Sequence, residues 1–358
     1  MAIGERLFLR QVRHVHPDVG DWRTAEVRRQ IGRDFGALVP PFALHLPAPE
    51  ALCAYWAIFR EPTYAQRVDR AQKEAVAAGV SASNTCPYCV DVHTTLLHAL
   101  GDRSSAAKIA AGRTDDITDP ALRGVVAWAR ENRKPGASIL RHRPFPDEHA
   151  PELIGTAVAY HYINRMVNIF VATSPFPLPV TPKPIARRMV SPVFRRLAAR
   201  RVQPGESLGL LPAAPWPDDL GWAHGDPIIA DAFARAAAAF DRIGRQAIPA
   251  ETRHLVADRL HEWRGEEPGL SRRWVDDPVK ELPTAQRPLG RFALLTALAS
   301  YQIDSEILDA ARPSLGSAGD EALVVTAAWA SFAAARRIGS WLHAAAASAD
   351  RGQGNPPR

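Results

Sequence analysis

The chain has 358 residues, of which 46% are hydrophobic, and a formal charge of +6 from 44 Lys and Arg against 38 Asp and Glu. That length suits two ordinary domains or one large one, with ample apolar content for a core. The charge excess is too mild to mark a nucleic-acid partner, no run of about eighteen apolar residues suggests a membrane span, and the charged N-terminus lacks a signal-peptide core. A soluble cytoplasmic protein is expected. In such a compartment a close cysteine pair points to catalysis or metal binding rather than to a structural disulfide.

In chain order, a helix is expected over Trp22 to Phe35, then a connection at PPFALHLPAPE, where prolines break the pattern. From Pro49 to Arg60, Leu52, Trp56 and Phe59 recur at helical spacing, and Cys53 in this stretch reads as a small buried hydrophobe. Gln66 to Gly79 is a third helical segment with Gly79 as its C′ residue, followed by a turn through AAGVSAS. Ser83, Asn84 and Thr85 are good N-cap residues and Pro87 suits a first turn, so the next helix is expected to start near Cys86 and run to Gly101. Ala106 to Ala111 and Ala121 to Glu131 follow, the latter started by Thr118 or Asp119 with Pro120 at N1. Glu152 to Val171 is the strongest apolar helix, interrupted by His161, Asn164 and Arg165.

The chemistry concentrates in residues 74 to 93. Cys86, Cys89 and His93 stand at i, i+3 and i+7, one stripe of a helix. A helix N-terminus stabilises a thiolate, a Cys-x-x-Cys pair is disposed to a short disulfide, and His93 at i+4 from Cys89 is placed to accept its proton. Glu74, on the preceding helix, is expected to return towards the cysteines and relay protons. The same residues suit zinc, with Glu74 or His98 as a fourth ligand, although structural zinc sites usually draw ligand pairs from separate segments.

Glu74, Cys86, Cys89 and His93 form the spacing Glu-x11-Cys-x2-Cys-x3-His, which resembles the active-site signature of the alkyl hydroperoxidase D family within the carboxymuconolactone decarboxylase-like superfamily. PEALCAYWAIFRE at 49–61 resembles the leading helix of that family and ELIGTAVAYHYINRMVNIF at 152–170 its closing helix. The resemblance implies an all-α fold and a cofactor-free peroxidase in which Cys89 attacks a hydroperoxide, Cys86 resolves, and His93 and Glu74 move protons. It also implies an external dithiol reductant of thioredoxin-like or lipoyl type and a homo-oligomer. The helix dipole alone would favour Cys86 as the more acidic thiol. The chain departs from the pattern at Tyr88, where better-studied members carry a His, and tyrosine is a poor base near neutral pH. Tyr88, His161 and Asn164 are candidate substrate-binding residues. Decarboxylase-like or general thiol–disulfide chemistry, and a non-catalytic interaction protein, are the alternatives.

Residues 173–215 form a Pro-rich basic linker, expected to be partly helical between Ile185 and Arg201. The second half then echoes the first. DPIIADAFARAAAAFDRI at 226–243 parallels the stretch from Pro49, PLGRFALLTALASYQ parallels DPALRGVVAWAREN, and EALVVTAAWASFAAARRIGSWL at 321–342 parallels 152–171. Where the thiol motif would recur the chain reads EEPGLSRR. This implies a catalytic helical domain at 1–172, a degenerate copy at 216–345 that has lost its chemistry, and a flexible tail at 346–358.

Overall fold

A computed structural model describes residues 9–16, 22–175 and 202–352. The expected helix between Ile185 and Arg201, most of the basic strip and the end of the tail lie outside the described residues. Among the described residues the protein is built from α-helices and short 3-10 turns, and its strand-like pairing is a single isolated bridge between Val12 and Val171. The first half contains α1 (Trp22–Asp34), α2 (Pro40–Ala43), α3 (Pro49–Tyr64), α4 (Arg70–Ser83), α5 (Pro87–Ala99), α6 (Arg103–Ala110), α7 (Pro120–Glu131), α8 (Ser138–Arg141) and α9 (Ala150–Phe170). The second contains α10 (Pro227–Ala247), α11 (Ala250–Glu262), α12 (Asp276–Lys280), α13 (Arg287–Ala299), α14 (Ser305–Ala311) and α15 (Gly319–Gly352). No helix among the described residues is long and apolar enough to cross a membrane.

The starts of these helices follow from local chemistry. Asp69, Asp102, Asp119 and Asp226 each accept a hydrogen bond from a backbone N–H of the first turn they cap. α3, α5, α7 and α10 each begin on a proline, whose missing N–H would have had no partner there. α9 is buried on every side except at Asn168, as an all-round apolar helix must be. It packs against α3, α4 and the long α15, while α3 packs against α10. The buried apolar core is therefore continuous from Val15 to Leu342 across both halves.

Gly79 does not end α4. The helix runs on to Ser83, and AAGVSAS is helical rather than a turn. A Cβ on Gly79 would lie 2.7 Å from Ala129 Cβ and 3.2 Å from Val126 O. The glycine is there so that α4 and α7 can approach closely, a packing use that looks the same in sequence as a cap. Likewise the connection at residues 39–48 contains the short α2, started by Pro40.

Candidate active site

α4 ends in a way that fixes where α5 begins. Thr85 N–H donates to Ala82 O at 3.2 Å and Cys86 N–H donates to Ser81 O at 3.0 Å, the paired bonds of a Schellman motif with Asn84 as C-cap and Thr85 as C′. Thr85 sits at φ 53°, a left-handed conformation usually left to glycine and strained for a β-branched residue. Cys86 is thus the last residue tied to α4 and also the N-cap of α5, where it makes no side-chain cap bond. Ser83, Asn84 and Thr85, expected as caps of α5, instead belong to the end of α4.

The structure brings Glu74 to His93. α4 and α5 pack together, and His93 Nδ1 lies 2.6 Å from Glu74 Oε2. The other carboxylate oxygen accepts from Arg70 Nε at 2.6 Å. Burial opposes ionisation of Glu74, but Arg70 and His93 together bring its pKa down to about 2. The carboxylate is charged at neutral pH and accepts from Nδ1–H of His93, which leaves Nε2 as the ring nitrogen not bonded to Glu74. The Tyr160 ring meets the imidazole edge-on, 4.6 Å between centroids.

Neither sulfur is in a disulfide, nor is that of the fully buried Cys53 of α3. Cys86 and Cys89 are 1% and 3% exposed, although their neighbours Thr85 and Pro87 are at the surface. Burial pushes the Cys89 pKa well above the ordinary thiol value, and its hydrogen bond to Cys86 adds to the rise. A hydrogen bond from Asn164 works in the other direction. Helix-dipole stabilisation does not outweigh desolvation at Cys89, so the resting sulfur is held as a thiol. Tyr88, also buried, has its phenol held protonated by burial and by the two cysteines.

His161 and Asn164 sit in an inward-facing amide network. Asn84 Nδ2 lies 3.0 Å from His161 Nδ1 and donates to Asn164 Oδ1 at 3.1 Å. Asn164 Nδ2 donates to Ser81 Oγ at 3.0 Å, and His161 Nε2 lies 2.8 Å from Asn132 Oδ1. With both ring nitrogens used, and with burial and then Arg165 and Arg133 lowering its pKa, His161 is a neutral structural link. Of the two, only Asn164 reaches a sulfur. Sequence reasoning missed Arg70, which lies at i−4 from Glu74 on the same helix, and Asn84, which joins α4 to α9. Among the described residues no group of three or more His, Cys, Asp or Glu is arranged to hold a metal ion.

These residues lie where a family comparison also falls. Residues 50–131 match the carboxymuconolactone decarboxylase family. A curated protein of Mycobacterium tuberculosis, alkyl hydroperoxide reductase Rv2159c, is 38% identical over 339 residues, covering 95% of this chain and 96% of that protein. The chain belongs to the carboxymuconolactone decarboxylase family. No solved structure matches it significantly. The matched segment of the decarboxylase family spans α3 to α7 and so contains Glu74, Cys86, Cys89 and His93.

Proposed function

We propose that this protein is a thiol-dependent peroxidase that reduces alkyl hydroperoxides through the Cys86–Cys89 pair. The Glu74–His93 bond carries the reading, because it leaves a basic nitrogen on the residue four positions after Cys89. Since Cys89 rests as a thiol, attack needs a base at the moment of reaction. His93 Nε2 takes the Cys89 proton, and the charged Glu74 stabilises the resulting imidazolium. The Cys89 thiolate attacks the outer peroxide oxygen, the O–O bond breaks, and the departing alkoxide takes the proton back from His93 and leaves as an alcohol. The Cys89 sulfenic acid then condenses with the Cys86 thiol, giving a disulfide and water, and a thioredoxin-like or lipoyl-type dithiol reduces the pair again.

With both sulfurs closed from solvent, substrate entry requires an opening next to the surface residues Thr85 and Pro87. The name of the mycobacterial relative supports the same substrate class. The second half reads as a degenerate copy of the first. Supporting this, helices at corresponding positions face one another, α3 on α10 and α9 on α15, as the equivalent surfaces of a two-fold dimer would.

The test is hydroperoxide consumption with a dithiol reductant. Cys89→Ser is expected to abolish turnover, while Cys86→Ser retains one round of attack and leaves a sulfenic acid that a dimedone-type reagent traps at Cys89. Equal residual turnover in both variants, or trapping at Cys86 in Cys89→Ser, would overturn the assignment.

A further inference from the structure

At the seam between the halves, two arginines are buried together with too few anions. Arg165 on α9 is 3% exposed and has no carboxylate partner among the described residues. Its Nε donates to Ala297 O at 2.9 Å, near the end of α13, and its Nη1 to His161 O at 2.5 Å. The half-charge at a helix C-terminus offsets only part of a buried guanidinium. His161 Nε2 bonds Asn132, and the next residue is Arg133, 5% exposed. Arg133 Nη2 pairs at 2.6 Å with Glu267, whose side chain is largely in solvent.

Two donors at this place have no acceptor. Arg133 Nε and Asn132 Nδ2 are buried and make no hydrogen bond. An unsatisfied buried donor costs about 1 to 3 kcal/mol and is rarely left so. The elements that converge here come from both halves. Trp341 Nε1 on α15 donates to Asn132 O at 2.9 Å, and a Cβ on Gly265 would fall 1.9 Å from Arg133 O, so glycine is required for the 263–267 turn to close over that backbone.

We infer that Arg165, Arg133 and the Asn132 amide form a binding site for a small oxyanion, a carboxylate or a phosphate. Guanidinium donors match the paired oxygens of both groups. An anion supplies the missing charge and takes the two open N–H groups. Consistent with an uncompensated site, burial and then the Arg133 charge lower the Arg165 pKa to about 9.

The test is thermal unfolding and calorimetric titration of the full chain with inorganic phosphate and, separately, with acetate, at constant ionic strength set by chloride. A saturable rise in Tm with either anion, lost in Arg165→Met and in Arg133→Gln, is expected, and which anion acts identifies the ligand class. Arg133→Gln decides alone if Arg165→Met does not fold. The absence of a shift and of binding heat with both anions, or a shift retained in Arg133→Gln, would overturn the inference.

Discussion

The buried ionic clusters around Arg60 and around Glu74 differ in what they leave unused. Arg60 has no exposed surface. Its Nε donates to Asp34 at 2.8 Å, Nη1 to Glu61 at 2.8 Å, and Nη2 to Gln203 O and Glu206, both at 2.9 Å. Glu61 in turn accepts from Gly205 N at 2.8 Å and Ser207 Oγ at 2.5 Å. This cluster clamps α1, α3 and the 203–207 segment, and every nitrogen of its central cation is taken. In the Glu74 cluster both carboxylate oxygens are taken, by Arg70 and His93, but no hydrogen bond among the described residues occupies His93 Nε2. Buried charge alone therefore does not mark a reactive centre. The unused nitrogen, on the helix that carries the sulfurs, is what the proposed chemistry draws on.

Substitutions sharpen that contrast. Arg60→Met strands Glu61 without its cation and leaves Asp34 to Arg33 alone, and is expected to destabilise the fold by about 3 to 5 kcal/mol, read by denaturant unfolding, while the variant that remains folded keeps its peroxidase rate. A loss of rate at intact stability would make the Arg60 cluster part of the chemistry. His93→Ala is expected to slow hydroperoxide reduction on the order of 10²-fold, with little loss of stability beyond the Glu74 bond. An unchanged rate would remove His93 from the mechanism.

The Glu74 cluster also has a pH signature. Its folded pKa, about 2, lies below the ordinary carboxylate value, so its stabilisation is fully present above about pH 4.5 and is lost as pH falls towards 2. Glu74→Gln is expected to flatten the acid side of the stability profile in that window, and a profile matching wild type would contradict the pairing with Arg70 and His93. Smallest of all, Thr85→Gly relieves the left-handed strain and is expected to raise stability by up to about 1 kcal/mol, offset partly by the added chain entropy of glycine. A clear loss of stability would show that the threonine side chain has a role beyond the turn.

The helices and the candidate site residues were largely legible in the sequence because both are local signals. Asp followed by Pro or by an apolar run marks a helix start within a few residues, and Cys86, Cys89 and His93 declare a shared face by spacing alone. The end of α4 was not legible. A glycine serving close packing and a threonine in a left-handed cap reverse the usual roles of those residue types, so Gly79 read as a terminus and Thr85 as a beginning. His161 and Asn164 interrupt an apolar helix, which showed that they are buried and polar but not whether they face a substrate or one another. Asn132, Arg133, Arg165 and Ala297 are brought together only by the packing of the two halves, and nothing in local sequence foretells such a meeting.

The most direct measurement counts free thiols in the reduced, denatured chain before and after one equivalent of an alkyl hydroperoxide. Three cysteines are present and none of them is in a disulfide in this structure. Loss of two thiols, with Cys53 remaining and a peptide linking Cys86 to Cys89 in the digest, is the predicted result. Three intact thiols alongside unchanged hydroperoxide, or oxidation confined to Cys53, would contradict sulfur-based peroxide reduction at this site.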